Sequence, residues 1–193
     1  MQKITFVTTN KGKAATAQQY FAELNIVLET YSHELIEPQS DDINEIAKSK
    51  VMQAYKLVAQ PCIAQDSGFY IEALNGFPKA FTKFALDTIG VNGILKLMAG
   101  IENRACMFKE CLAYYDGAAI KYFCCHYEGF LSNEAVGVDN PEKWSDLWSI
   151  FIPSYSDDRR TLAQYSLEET YERRKHSDSS LKQFAKWYKR EVL

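Results

Sequence analysis

Two lysines and an asparagine lie at the junction between a short β-type run and a helical segment. Residues 4–8 are rich in β-branched and aromatic side chains, and Thr9-Asn10-Lys11-Gly12-Lys13 follows them. Free backbone N–H groups at a helix N-terminus attract anions, and the helix dipole adds to that attraction. Because lysines at this end oppose the dipole, the pattern predicts a phosphate-binding loop. The alternative is a helix capped by Thr9 or Asn10 whose lysines are merely solvated.

Carboxylates occur at two further places where they could ligate a metal ion. Asp42 and Glu45 open a second helical segment, and Asp66 follows a short buried strand at residues 61–65. Mg²⁺ prefers oxygen ligands, and an Asp at the end of a strand could also act as a general base on water. The alternatives are a capping box formed by Asp42 and Glu45 and a plain turn at Asp66-Ser67-Gly68.

Two more groups could contact a nucleotide. The basic segment Arg173-Arg174-Lys175-His176 could hold phosphate or cover the edge of a base, or it could simply end a solvated helix. Trp148 and Phe151 could stack on a base. Most of the 12 Tyr, 11 Phe and 3 Trp residues are nevertheless expected in the core.

The composition is that of a globular protein. The chain has 193 residues, of which 47% are hydrophobic and 24% charged, so it can bury a core without disulfides. A net charge of −3 argues against binding to a nucleic-acid polymer, which usually requires a basic surface. The five cysteines lack metal-type spacing, which favours free thiols in a reducing compartment. No signal peptide or membrane-spanning run is found, so we expect a cytoplasmic protein.

Hydrophobic periodicity predicts alternating helices and strands in the first half of the chain and clustered strands in the middle. Helices are expected at residues 14–24, 42–59, 78–86, 93–98, 161–171 and 179–192. Strands are expected at residues 4–8, 26–31, 61–65, 69–74, 104–115, 119–127, 129–133 and 150–152. This order of elements predicts a mixed α/β sheet with helices on its faces.

Several motifs in order resemble the inosine triphosphate pyrophosphatase (Ham-type) family, whose members hydrolyse non-standard purine nucleoside triphosphates. Thr8, Asn10 and Lys13 meet the family's T-x-N-x-x-K pattern. Glu45 meets its metal-binding glutamate early in the second helix. Gln65-Asp66-Ser67-Gly68 is similar to its Asp-Asp-Ser-Gly turn.

Later parts of the chain extend the resemblance over nearly the whole sequence. Ala73-Leu74-Asn75-Gly76-Phe77-Pro78 is similar to a family A-L-x-G-x-P segment. Ile150-Phe151-Ile152-Pro153 is similar to its F-x-P segment, and His176 falls at its Ser-His-Arg motif. The resemblance implies a long curved mixed β-sheet with flanking helices, in two lobes around a central cleft. It also implies that residues 1–193 form one domain and that the protein is a homodimer.

The resemblance further implies a Mg²⁺-dependent hydrolase that splits a nucleoside triphosphate into monophosphate and pyrophosphate. Lys13 and Asp66 are then the expected catalytic residues, and Glu45 and Asp66 the expected metal ligands. Asp66 would be the base, or would orient a metal-bound water for attack. The expected substrate-binding residues are Thr8, Asn10, Lys13, Ser67, Phe151, Lys175 and His176.

The sequence also departs from the family pattern. Gln65 replaces the first acid of the paired acidic turn, which would remove a ligand from the metal. Leu147-Trp148-Ser149 replaces an aromatic-Asp-Pro segment used near the base, and Lys175 and Ser177 flank His176 in place of Ser and Arg. Because hydrogen-bonding pockets that lose partners lose discrimination, a different or modified base is expected rather than inosine or xanthosine. The alternative is a nucleotide-binding protein with weakened catalysis on the same scaffold.

Overall fold

The computed structural model describes residues 3–174 and 177–192. Within these residues, the strands are β1 (Lys3–Val7), β2 (Val27–Tyr31), β3 (Cys62–Ile71), β4 (Pro78–Lys79), β5 (Ala105–Tyr115), β6 (Ile120–Leu131) and β7 (Phe151–Pro153). The α-helices are α1 (Lys11–Glu23), α2 (Ile43–Val58), α3 (Thr82–Thr88), α4 (Gly90–Leu97), α5 (Leu167–Arg174) and α6 (Ser180–Glu191). Short 3-10 helices occur at Glu72–Leu74, Asp146–Ser149 and Leu162–Gln164.

The strands form one mixed sheet in the order β2-β1-β3-β5-β6-β7, and β4 pairs with β3. β1 runs parallel to β2 and β3, with Phe6 opposite Thr30 on one side and Ile63 on the other. β4 is antiparallel to β3, and β7 is antiparallel to β6. Helix α1 packs on β2 and on α6, and α2 packs on β1. The predicted mixed α/β fold with flanking helices is confirmed.

One predicted turn is in fact part of a strand. Asp66-Ser67-Gly68 lies inside the ten-residue strand β3, which continues to Ile71. Gly68 permits this because the strand passes very close to β4. A Cβ atom at Gly68 would lie 2.7 Å from the carbonyl oxygen of Lys79. The glycine therefore serves close strand pairing, and Asp66 lies in mid-strand rather than after a strand end.

Other boundaries also differ from the sequence prediction. The strand expected at residues 129–133 is the end of β6. The helix expected at 78–86 divides into β4 and α3, and the one expected at 161–171 divides into a 3-10 turn and α5. In the described part of the chain no helix is both long and apolar enough to cross a membrane.

The chain divides into two compact units. The first unit comprises Met1–Ser67, Glu110–Cys125 and Asp178–Leu193, and the second comprises Gly68–Lys109 and His126–Ser177. Aromatic packing joins helices and sheet in the first unit: the ring of Phe184 in α6 is stacked 5.7 Å from Phe21 in α1 and lies 5.5 Å from Tyr114 in β5. The second unit has its own core around Phe69, Phe108 and Phe151. Strands β3, β5 and β6 contribute residues to both units.

Candidate active site

The predicted phosphate loop forms a capped helix start in the first unit. Asn10 is the N-cap of α1, and its Oδ1 accepts a hydrogen bond from the N–H of Lys13 at 2.9 Å. The hydroxyl oxygen of Thr8 accepts from the N–H of Asn10 at 3.1 Å. These two local bonds explain why α1 begins at Lys11 rather than at Ala14. The capping interpretation is therefore confirmed for Asn10, and it places Lys13 in the first turn.

The side chain of Lys13 points toward β3 and is not a solvated surface lysine. Its Nζ donates a hydrogen bond to the hydroxyl of Ser67 at 3.1 Å. Burial lowers the pKa of the Lys13 ammonium below its ordinary value, while the nearby carboxylates of Asp66 and Glu110 act in the opposite direction. A cation that is partly stripped of water at a helix N-terminus is well suited to bind phosphate.

Asp66 forms a buried ion pair with Lys50 of α2. The Lys50 Nζ lies 2.9 Å from Asp66 Oδ1 and 2.7 Å from Glu37 Oε1, so one ammonium joins two carboxylates. The Asp66 side chain is only 7% exposed. Burial alone would lower the pKa of Lys50, but attraction to Asp66 and hydrogen bonds to Glu37 and Asp66 outweigh it and raise that pKa. Lys50 therefore stays charged and fixes the orientation of the Asp66 carboxylate.

Glu45 lies in the first turn of α2 and is exposed. Its carboxylate accepts a hydrogen bond from the Ser40 hydroxyl at 2.8 Å. The helix is capped by Asp42 alone, whose Oδ1 accepts from the Asn44 N–H at 2.8 Å. The capping-box alternative was therefore wrong for Glu45, because its carboxylate is bonded to Ser40 instead. Within residues 3–174 and 177–192, no three His, Cys, Asp or Glu side chains form a metal-binding group.

Gln65 and Asp66 contact different elements. Successive side chains of a strand point to opposite faces of the sheet. Asp66 is bonded to Lys50 of α2, whereas the Gln65 Nε2 donates to Ser180 Oγ of α6 at 2.8 Å and to Glu110 Oε2 of β5 at 3.1 Å. The expected loss of a metal ligand at Gln65 stays a prediction, and the Gln65 side chain is bonded to Ser180 and Glu110.

The second unit contains the aromatic residues predicted to meet the base. Phe151 is 2% exposed, and its ring centroid lies 4.9 Å from that of Phe108 and 6.1 Å from that of Phe69. Trp148 is 4% exposed and packs on Trp144 at 5.1 Å. This burial favours a packing role for both residues. The assignment of Phe151 to substrate binding stays a prediction, with its ring already enclosed by the core.

Two predicted substrate-binding residues, Lys175 and His176, lie outside the described residues. The backbone of the preceding Arg173 and Arg174 is helical and ends α5.

Sequence reasoning missed three residues of the first unit's polar network, namely Lys50, Glu110 and Ser180. Lys50 lies five residues after Glu45 in the same helix, and this spacing to a metal-binding candidate was the available signal. Glu110 and Ser180 lie 45 and 115 residues from Gln65. No local pattern connects positions so distant.

Solved structures share this architecture. The chain superimposes on a HAM1 protein from Coxiella burnetii with a TM-score of 0.79 and 22% identity, covering 96% of this chain and 98% of that one. The Ham1 protein of Staphylococcus aureus gives a TM-score of 0.78 and 20% identity, covering 98% and 100%. The fold is therefore that of the Ham1 proteins.

Sequence comparison identifies the family. The sequence model of the Ham1 family matches residues 4–187, and this chain belongs to the Ham1 family. Among similar proteins, the dITP/XTP pyrophosphatase of Saccharolobus solfataricus is 40% identical over 167 residues, covering 86% of this chain and 84% of that protein. The dITP/XTP pyrophosphatase of Methanopyrus kandleri is 37% identical and covers 98% of both chains.

Proposed function

We propose that this chain is a hydrolase that splits non-standard nucleoside triphosphates into monophosphate and pyrophosphate. Membership of the Ham1 family and near full-length similarity to proteins named dITP/XTP pyrophosphatase support this reaction. The observation that carries the proposal is the pairing of Lys13 with Ser67 and of Lys50 with Asp66 on adjacent residues of β3. Lys13 and the oriented Asp66 carboxylate are thus held at adjacent positions of one strand, Lys13 by Ser67 and Asp66 by Lys50.

The phosphate tail is proposed to bind at the start of α1. The first backbone N–H groups of the helix and the Lys13 ammonium supply positive charge, and the side chains of Thr8 and Asn10 hold the loop in shape. Lys13 would bind pyrophosphate oxygens and stabilise the negative charge that develops on them as the bond breaks. Ser67 keeps the Lys13 side chain directed at β3.

The donor chemistry of this unit fits Mg²⁺. Mg²⁺ takes oxygen ligands and is commonly bound through one or two carboxylates, with waters and substrate phosphates completing its coordination. Asp66 and Glu45 would supply these carboxylates, so a group of three or more protein ligands is not needed. When bound, Mg²⁺ would neutralise part of the triphosphate charge. Lys50 already bonds one Asp66 oxygen, which leaves the carboxylate with a second oxygen for another partner.

Asp66 is proposed to act as the general base. A positioned carboxylate can take a proton from water as the water attacks the α-phosphorus. Lys50 holds the carboxylate in one orientation, and its own second bond to Glu37 keeps it in place. The monophosphate and pyrophosphate are the products.

The base preference, assembly and location are also proposals. The segments Leu147-Trp148-Ser149 and Lys175-His176-Ser177 differ from the family pattern, and this difference supports a base other than that of inosine or xanthosine. The exposed aromatic side chains of Phe81 and Phe84, 44% and 67% exposed, support a homodimer. Five free cysteines support the reducing cytoplasm. Residues 1–193 would act as one domain.

The test is a substrate panel. The purified protein is incubated with Mg²⁺ and with common nucleoside triphosphates, inosine and xanthosine triphosphates, and several base-modified triphosphates. Pyrophosphate release is measured, and the nucleoside product is identified by mass. We expect monophosphate and pyrophosphate from at least one non-standard triphosphate. The ranking of substrates identifies the base that the protein prefers.

The second candidate is a nucleotide-binding protein with weakened catalysis. The differences from the family pattern at Leu147-Trp148-Ser149 and on either side of His176 favour this candidate. Nucleotide binding by a folded protein without pyrophosphate release from any panel member would establish it and would reject the hydrolase. Omission of Mg²⁺ provides a further distinction, because only the hydrolase should lose its signal.

A further inference from the structure

Two cysteine side chains touch between the neighbouring strands β5 and β6 of the first unit. The Sγ atoms of Cys111 and Cys124 lie 3.1 Å apart, and both thiols are free. A disulfide bond joins two sulfur atoms at about 2.0 Å, so an approach of the two side chains by about 1 Å would close one. The two thiols differ in exposure, since Cys111 is fully buried and Cys124 is exposed.

The exposed thiol is held in place by contacts with two helices. Its Sγ lies 3.4 Å from Oδ1 of Asn44 in the first turn of α2. The backbone carbonyl of Cys124 accepts a hydrogen bond from Nε2 of Gln183 in α6 at 3.2 Å. Because Cys124 is fixed beside Cys111, the two sulfur atoms meet without a search through solvent, which raises the rate of a reaction between them.

We propose that Cys111 and Cys124 form an oxidative modification site, in which hydrogen peroxide oxidises the exposed Cys124 and the buried Cys111 then closes a disulfide with it. Nothing in the proposed hydrolysis uses these residues, so the inference stands apart from the proposed function. A disulfide of this kind is transient in a reducing compartment, where such bonds typically serve redox sensing.

The chemistry proceeds in two steps. In the first, the Cys124 sulfur attacks hydrogen peroxide, the O–O bond breaks, and a sulfenic acid and one water form. In the second, the Cys111 sulfur attacks the Cys124 sulfur, the S–O bond breaks and the S–S bond forms, and the Cys111 proton leaves with the hydroxyl group as a second water. Two thiols are thus oxidised by two electrons, and peroxide is reduced to two waters.

The order of the two steps follows from the surroundings of the sulfur atoms. Peroxide from solvent reaches the exposed Cys124 first. Burial raises the pKa of the Cys111 thiol, and its contact with Cys124 acts in the same direction, so Cys111 remains protonated and reacts little with peroxide itself. Cys111 is therefore the resolving cysteine. Its reaction converts the sulfenic acid into a disulfide before a second peroxide produces sulfinic acid, which thiol reductants do not reverse.

Cys125 provides a matched control, because it is adjacent to Cys124 and has different contacts. Its Sγ accepts a hydrogen bond from the Ser180 N–H at 3.3 Å and lies 3.6 Å from Oε2 of Glu110. A serine hydroxyl can take over both contacts. Cys125→Ser should therefore leave the link between Cys111 and Cys124 intact, whereas Cys124→Ser should abolish it.

The first experiment maps the link in the folded, full-length protein. Reduced protein is treated with hydrogen peroxide, the remaining thiols are blocked with N-ethylmaleimide, and tryptic peptides are analysed by mass spectrometry without reduction. Cleavage after lysine places Cys111 in residues 110–121 and both Cys124 and Cys125 in residues 122–143. We expect these two peptides to be joined, with the loss of two hydrogen atoms, in the parent and in Cys125→Ser. Dithiothreitol should separate them.

Two results of the mapping would overturn the inference. One is the absence of the joined peptides in the peroxide-treated parent, a result that needs no variant. The other is a link that survives in Cys124→Ser and is lost in Cys125→Ser, because the reacting residue would then be Cys125.

The second experiment tests the resolving role of Cys111 with Cys111→Ala and Cys111→Ser, whose folds are checked by circular dichroism. In these variants dimedone should trap the Cys124 sulfenic acid, and excess peroxide should convert Cys124 to sulfinic acid. Recovery of the Cys124 thiol by dithiothreitol should then fall several-fold below the nearly complete recovery of the parent. Equal recovery in the parent and in a folded variant would show that Cys111 does not protect Cys124, and would reject its role.

Discussion

The two halves of strand β3 belong to different units and differ sharply in what surrounds them. In the first unit, Gln65, Asp66 and Ser67 each bond to a polar partner from a different helix or strand. In the second unit, Phe69 and Ile71 are fully buried, and Phe69 packs on the rings of Phe108 and Phe151. One continuous strand thus carries consecutive polar contacts at one end and an apolar core at the other.

The difference between the polar and the apolar half of β3 has a physical cause. A strand that is buried on both faces normally reads as an apolar run, and burial of unpaired polar groups is costly. The polar half is tolerated because Lys13, Lys50 and Glu110 pair with it from both faces. The apolar half needs no such partners and stabilises the core of the second unit. Substitutions in the polar half should therefore affect chemistry, and those in the apolar half should affect stability.

The sharpest test of the polar half is Asp66→Asn. We expect kcat to fall by about 10³-fold, within the range typical for loss of a general base, because the amide cannot take a proton from water. The variant should remain folded, since an asparagine oxygen can still accept from Lys50. Turnover is measured as pyrophosphate release, and circular dichroism checks the fold.

Asp116→Asn is the control for Asp66→Asn. Asp116 lies in the exposed turn between β5 and β6, where its Oδ1 accepts from the N–H groups of Ala118 and Ala119. An asparagine oxygen can make the same bonds, so activity should be unchanged. Parent-level turnover in Asp66→Asn would remove Asp66 from the chemistry.

The apolar half is tested by Phe151→Ala. Loss of a buried phenylalanine typically costs about 3–5 kcal/mol of unfolding free energy, and the enclosure of Phe151 by Phe69 and Phe108 places it in that class. Urea unfolding provides the measurement. Ile36→Ala is the control, because that side chain is 78% exposed and its removal should cost little.

A milder change separates packing from base recognition at the same position. Phe151→Leu keeps most of the apolar volume and should leave the protein folded. If Phe151 only packs, the ratio of kcat/KM between two triphosphates that differ in base should not change. A substantial change in that ratio would restore Phe151 to the substrate-binding residues predicted from sequence.

The fold and the cap of α1 could be predicted because their signals are local. The order of helices and strands follows from periodicity, and the Asn10 cap of α1 follows from capping chemistry confined to residues 8–13. The turn assigned to Asp66-Ser67-Gly68 failed because its composition is typical of turns. Only the approach of Lys79 to Gly68 shows that the glycine serves strand pairing.

The network around Gln65 was beyond the reach of local reasoning. The expected loss of a metal ligand at Gln65 came from the resemblance to the family's Asp-Asp-Ser-Gly segment, and it stays a prediction. In the structure the Gln65 amide donates to the carboxylate of Glu110, which lies 45 residues away in the sequence. Tertiary pairing, and not the local motif, determines what this position does.

The smallest expected effect in the polar half of β3 is the pH dependence of kcat/KM that follows from the ionisation of Lys13. Its pKa lies below the ordinary value of 10.5 because burial penalises the charged form, with Asp66 acting in the opposite direction. Since phosphate binding needs the ammonium, kcat/KM should begin to fall at a lower pH than an ordinary lysine would allow. Lys13→Arg stays charged throughout this range and should lack that fall, whatever its absolute activity.

Stability gives an independent measurement of the same group. A lysine whose pKa is lowered by folding costs stability below the folded pKa, and that cost disappears as the pH rises toward 10.5, because the unfolded chain binds more protons in between. Lys13→Met removes the buried charge, so its unfolding free energy relative to the parent should be most favourable near neutral pH. The advantage should shrink as the pH rises. An advantage that stays constant with pH in urea unfolding would show that Lys13 titrates normally and that its side chain is not desolvated by the site.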